Sequence, residues 1–135
     1  TKLSQYSNLI LWIAGHRHRN VVTPRPSIDP DYSEAEYGFW EVETASLRDF
    51  PQQFRTFEIL RNSDNTVSII TTDVDPAVKE GSLAATSRSY AVAADFLFNE
   101  TVYLPPSGAY NAELIKQLSS EMQTKIQNYG TPIAE

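Results

Sequence analysis

His16 and His18 are the only two histidines among 135 residues, and they stand one residue apart directly after Gly15. A neutral imidazole binds borderline divalent metals and exchanges a proton near neutral pH, so this pair is the chain's most concentrated source of chemistry. Upstream lies Leu9-Ile10-Leu11-Trp12-Ile13-Ala14, an apolar run ended by the glycine. Six apolar residues are short for a helix and right for a strand inside a sheet. On extended backbone, side chains at i and i+2 leave the same side. Two imidazoles just past a strand end, where open α/β sheets collect their ligands, make half of a metal site. Spacing alone does not decide this, because His-x-His also occurs in ordinary polar loops.

Arg17 falls between the histidines and, on extended backbone, on the opposite side; it is expected to pair with a nearby carboxylate rather than with a substrate phosphate. Asp29 with Asp31, and Asp73 with Asp75, are carboxylates at strand spacing beside prolines, a setting that belongs to turns more than to cation sites. Glu41 and Glu43 share one face of a strand and read as solvated edge charges rather than an acid/base pair. Trp12 and Trp40 read as core aromatics.

The Gly15-His16-Arg17-His18 signature after a hydrophobic strand resembles the final Gly-His-x-His motif of the calcineurin-like metallophosphoesterases. The likeness continues through Asn20, Thr23-Pro24, Gly38-Phe39-Trp40-Glu41-Val42-Glu43-Thr44-Ala45-Ser46-Leu47, Asp49-Phe50-Pro51-Gln52-Gln53 and Phe54-Arg55-Thr56-Phe57-Glu58-Ile59. That block is similar to a bacterial subgroup of these phosphoesterases and covers roughly residues 8–75. The resemblance implies a four-layer α/β/β/α sandwich in which His16 and His18 each bind one of two divalent ions (Mn, Fe, Zn or similar), with a phosphate ester as substrate. The family's earlier signatures, Asp-x-His, Gly-Asp-x-x-Asp and Gly-Asn-His-Asp/Glu, do not occur in these residues. The expectation is therefore the C-terminal portion of a longer enzyme, inactive by itself, whose missing N-terminal part supplies the remaining ligands. Thr44, Ser46 and residues 24–37 are candidates for shaping the substrate pocket.

Rival chemistries find less support. A serine hydrolase needs a Gly-x-Ser-x-Gly elbow, which is absent, and a metal-free two-histidine phosphoesterase needs two separated histidine motifs. A β-rich binding or accessory module with incidental histidines is the remaining alternative.

The bulk properties narrow the classes further. A net charge of −6 and a pI near 4.9 argue against a nucleic-acid or anionic-membrane surface. No apolar run approaches the ~20 residues of a membrane span. Any targeting signal is expected upstream of Thr1, leaving cytoplasm and periplasm both open. With no cysteine, a metal must be held through N and O donors.

The elements that must position the histidines follow from periodicity. Strands are expected over residues 8–14, with a short continuation over 19–23, then 38–46, 54–60 and 66–74. A proline-dense loop runs from 24 to 37, a single helical turn is expected at 49–53, and the polar stretch 61–65 makes a hairpin connection. Leu83, Ser87, Tyr90, Ala94 and Leu97 describe one face of a helix. After a break at 104–108, Asn111 is expected to cap a second helix with Ile115, Leu118, Met122 and Ile126 on its apolar side. This is an α+β fold, a largely antiparallel or mixed sheet with two C-terminal helices, divided into a sheet part over 1–76 and a helical extension over 77–135. The two-sided apolar strand at 8–14 should want neighbours beyond this chain, so self-association is expected if they are missing.

Overall fold

A computed structural model describes residues 2–98 and 108–127. The expected break at 104–107 lies outside them. The fold is α+β: two three-stranded sheets and two helices. The first sheet takes β1 (Leu11–Ala14), β2 (Val21–Arg25) and β3 (Phe39–Glu43) in the order β1-β3-β2. β3 runs parallel to β1 and antiparallel to β2, so the chain passes through β2 before returning to pair beside β1. The second sheet is an antiparallel meander of β4 (Phe54–Arg61), β5 (Thr66–Val74) and β6 (Ala112–Gln117).

The β4–β5 hairpin sits where the sequence puts it. Asp64 accepts from both the backbone amide and the hydroxyl of Thr66, and Asn65 adopts φ +66°, so the connection turns on its own polar residues. β5 is the central strand of its sheet and buries Val67 and Ile69. The two sheets meet through Val42 of β3 and Val67, Ile69, Leu114 and Leu118, with Trp40, Phe57 and Met122 packed around them. A Trp40 Nε1 bond to the Ile115 carbonyl at 3.0 Å also ties sheet to sheet. The buried Lys116 side chain crosses the same gap to the carbonyls of Ala35 and Glu36, and burial lowers its pKa.

Several expectations need correction. The segment after Asn111 is a strand, not a helix: residues 112–117 pair with the open edge of β5, and Asn111 accepts from the Asp73 amide at 2.8 Å. A true period of two underlies it, with Leu114 and Lys116 buried while Glu113 and Ile115 are exposed. The helix expected there begins later, as α2 (Ser120–Ile126), capped by Ser119 accepting from the Met122 amide. Residues 49–52 form a β-turn around a cis Phe50–Pro51 bond, closed by the Gln52 amide on the Asp49 carbonyl, instead of a helical turn. β1 pairs only with β3 among the described residues and leaves Trp12 and Ile13 exposed, an open edge of the kind expected for a two-sided apolar strand whose other neighbours lie outside this chain. Trp12 is accordingly no core aromatic.

Helix α1 (Leu83–Phe98) forms as periodicity predicts, with an unexpected orientation. Ala85, Arg88, Ala91, Val92 and Asp95 are its half-buried positions, whereas Leu83, Tyr90 and Leu97 face outward at 72% exposure or more. Polar contacts fix that choice: Arg88 donates to the Pro51 carbonyl, and Gln52 Nε2 donates to Ser87 Oγ. None of the helices is long and apolar enough to cross a membrane among the described residues.

Candidate functional site at the ends of the parallel strands

β1 and β3 run parallel and end side by side at Ala14 and Glu43. The carboxyl ends of parallel strands deliver their following loops to a common rim. Here those loops are 15–20, which carries the histidines, and 44–53. The Thr44 amide bonds the Ala14 carbonyl at 3.0 Å, extending the pairing to the start of the rim.

The histidine segment is not the extended backbone that the sequence suggests. It bends after Gly15, with His16 at φ +85° and His18 at φ +55°. Strand alternation therefore does not set the direction of the two imidazoles. Left-handed φ at a non-glycine residue is uncommon, and it persists when surrounding contacts over-determine it.

Those contacts come from the loop that follows β3 and from β3 itself. The Nδ1 of His18 meets Asp49 Oδ2 at 2.5 Å, each side chain being less than half exposed. Asp49 reaches there because the 49–52 turn folds back toward the strand end. Glu43 takes both Arg17 Nε (2.9 Å) and Nη2 (2.5 Å) on one carboxylate oxygen, while its other oxygen accepts from the Arg17 backbone amide at 3.2 Å. The expectation that Arg17 pairs with a carboxylate holds, but Glu43 is no solvated edge charge. β3 is the middle strand of its sheet and the Glu43 side chain is 5% exposed, whereas Glu41 is the partner of Arg25.

Behind the rim lies a buried polar layer joining the two sheets. Asn20 accepts from the Ala45 amide and donates to Gln53 Oε1, and Gln53 Nε2 donates to Asp75. Next to it Asp73 and Arg55 face each other across the β4–β5 ladder at 3.5 Å. Burial raises the Asp73 pKa, opposed by the Arg55 charge, and burial lowers that of Arg55. Asp29 caps the short 3-10 turn over Pro30–Tyr32 and Asp75 accepts from Gln53 and Arg88, whereas Asp73 belongs to β5 rather than to a turn.

His18 is thus held by a carboxylate on one ring nitrogen, leaving Nε2 as its remaining donor, which is the arrangement of a metal-ligating histidine. His16 is exposed on the same bend. Thr44 Oγ1, one residue beyond Glu43, is buried without a hydrogen-bond partner. These donors fit a divalent ion as part of a centre: among the described residues no three His, Asp or Glu side chains converge. One hollow is lined by Val78, Ala85, Arg88 and Val92 and another by residues that include Trp40 and Lys116, and neither includes His16 or His18. The histidine bend is therefore an open rim. The sequence assigns no site role to Asp49 and reads Glu43 as a solvated edge charge. No periodicity in the sequence points to them; they reach the histidine segment because β3 pairs parallel to β1 and brings residues 43–53 to the same rim.

Comparison with protein families, curated proteins and solved structures returned no match for this chain.

Proposed function

We propose that the chain is the C-terminal portion of a metal-dependent phosphoesterase and that His16 and His18 are imidazole ligands of its two-metal centre. The observation that carries the reading is His18, whose Nδ1 is engaged by Asp49 at 2.5 Å so that Nε2 is left for a ligand bond. Two divalent ions of the Mn, Fe or Zn kind would supply Lewis acidity at phosphoryl oxygens and a water of lowered pKa. The residues of this chain hold and orient. His16 and His18 act as neutral ligands, Asp49 fixes the tautomer of His18, and Thr44 offers a hydroxyl beside the strand end.

Two packed sheets with helices in the same chain support the larger α/β/β/α sandwich as the setting. The unpaired edge of β1, with Trp12 and Ile13 exposed beside it, supports a neighbouring strand from the remainder of that enzyme. A second reading, a non-catalytic β-rich module, draws on the openness of the rim.

One experiment separates them. Replacing His16 or His18 by Ala in the full-length phosphoesterase should lower its metal content and cut hydrolysis of a chromogenic phosphodiester at least 10- to 100-fold. Wild-type metal content and turnover in the double variant would refute the ligand assignment and favour the module.

A further inference from the structure

Between the two histidines the chain makes a contact that neither imidazole takes part in. Arg17 is tied to one carboxylate by its backbone amide and by two guanidinium nitrogens. The carboxylate belongs to Glu43, at the last position of β3, almost wholly buried and carried by the middle strand of the sheet. Arg17 itself is 62% exposed at its side chain, so the fixed member of the pair is the glutamate.

We propose that Glu43 is the positioning residue of the His16–His18 pair, acting through Arg17. A buried carboxylate on a paired strand is a rigid reference point. A forked guanidinium matches it in a plane, and charge-assisted bonds of this kind are about twice as strong as neutral ones. Bonding the Arg17 amide as well fixes the peptide that joins the two histidines. Both flanking residues hold left-handed φ values, which are strained for side chains larger than glycine and need such external support. Asp49 then sets the ring of His18, while Glu43 sets the backbone from which both rings project. The pairing also neutralises Arg17, which removes it as a phosphate-binding cation. This inference rests on the ligand reading above and adds to it the device that holds the ligands in place.

The test is a Co²⁺ titration of the full-length phosphoesterase, followed by visible absorption, with the imidazole resonances of the metal-free protein recorded by NMR. Glu43→Gln and Arg17→Ala should each weaken Co²⁺ binding 10- to 100-fold and shift the resonances of both histidines. The double variant should be no weaker than the worse single one, because the two act along one path. Ile69→Val, a truncation in the core between the sheets, should leave both readouts unmoved. If Glu43→Gln does not fold, the exposed Arg17 side chain makes Arg17→Ala the deciding variant. Wild-type Co²⁺ affinity and resonances in Arg17→Ala overturn the positioning role while leaving the ligand reading intact. Absence of Co²⁺ binding by the wild type, or binding indifferent to His16→Ala and His18→Ala, overturns the ligand reading instead, and the metal-free resonances still decide the positioning role.

Discussion

Replacing Arg55 by Met should cost this fold a large share of its stability, by an amount that depends on pH. Arg55 and Asp73 are opposite each other in the β4–β5 ladder, 1% and 3% exposed, with Nη2 and Oδ2 3.5 Å apart. At an effective dielectric near 20 their attraction is about 4–5 kcal/mol. Removing the cation leaves a buried carboxylate without it, and that carboxylate escapes the full loss only by taking up a proton. Relative to an unfolded carboxyl of pKa 3.8, neutralisation costs 1.36 kcal/mol per pH unit, which is about 4 kcal/mol at pH 7 and about 1.6 at pH 5. Arg55 also donates to the carbonyls of Tyr110 and Ala109, adding about 1 kcal/mol for each bond lost. These contributions are upper bounds, and the expected loss at pH 7 is the roughly 3–5 kcal/mol seen when one partner of a buried ion pair is removed.

The sign of the pH dependence is set by the raised pKa of Asp73, which the neighbouring Asp75 charge also favours. Between pH 3.8 and that raised value the native state holds more protons than the unfolded one, so stability falls as pH rises. The variant should therefore lose less at pH 5 than at pH 7, by at most about 2.7 kcal/mol, and adding Asp73→Asn should abolish the difference. Urea unfolding of wild type and variants at both pH values measures this. A loss under about 1 kcal/mol at pH 7, or an equal loss at both, would show that the Arg55–Asp73 pair does not carry the charge balance of the inter-sheet layer.

Gly38→Ala should destabilise by about 1–3 kcal/mol, because Gly38 adopts φ +84° and a Cβ there would stand 2.6 Å from the Arg25 carbonyl oxygen. An unchanged denaturation midpoint would refute that strain. Asp49→Ala should leave the circular dichroism spectrum unaltered while weakening Co²⁺ binding 10- to 100-fold, since it removes the acceptor at His18 Nδ1; unchanged affinity would remove Asp49 from the site.

Elements that satisfy themselves locally could be read directly from the sequence. The β4–β5 hairpin is one, since alternating β-branched and aromatic residues flank a turn whose Asp64 and Thr66 bond each other. Helix α1 is another: sixteen residues rich in Ala, free of Gly and Pro, have helical spacing whatever they pack against. The histidine pair was visible by residue type alone. What tertiary structure decided is whatever depends on a distant partner. Residues 112–117 carry a helix-like spacing of Ile115 and Leu118, yet β5 offers an unpaired ladder of amides and carbonyls, and satisfying it outweighs a weak local preference. Glu43 looks like a surface charge until β3 is placed between β1 and β2, where its only stable form is paired with Arg17. The direction of the imidazoles depends on the same placement: a bend held by Glu43 and Asp49, 26 and 31 residues further along the chain, is invisible to any period counted along the backbone.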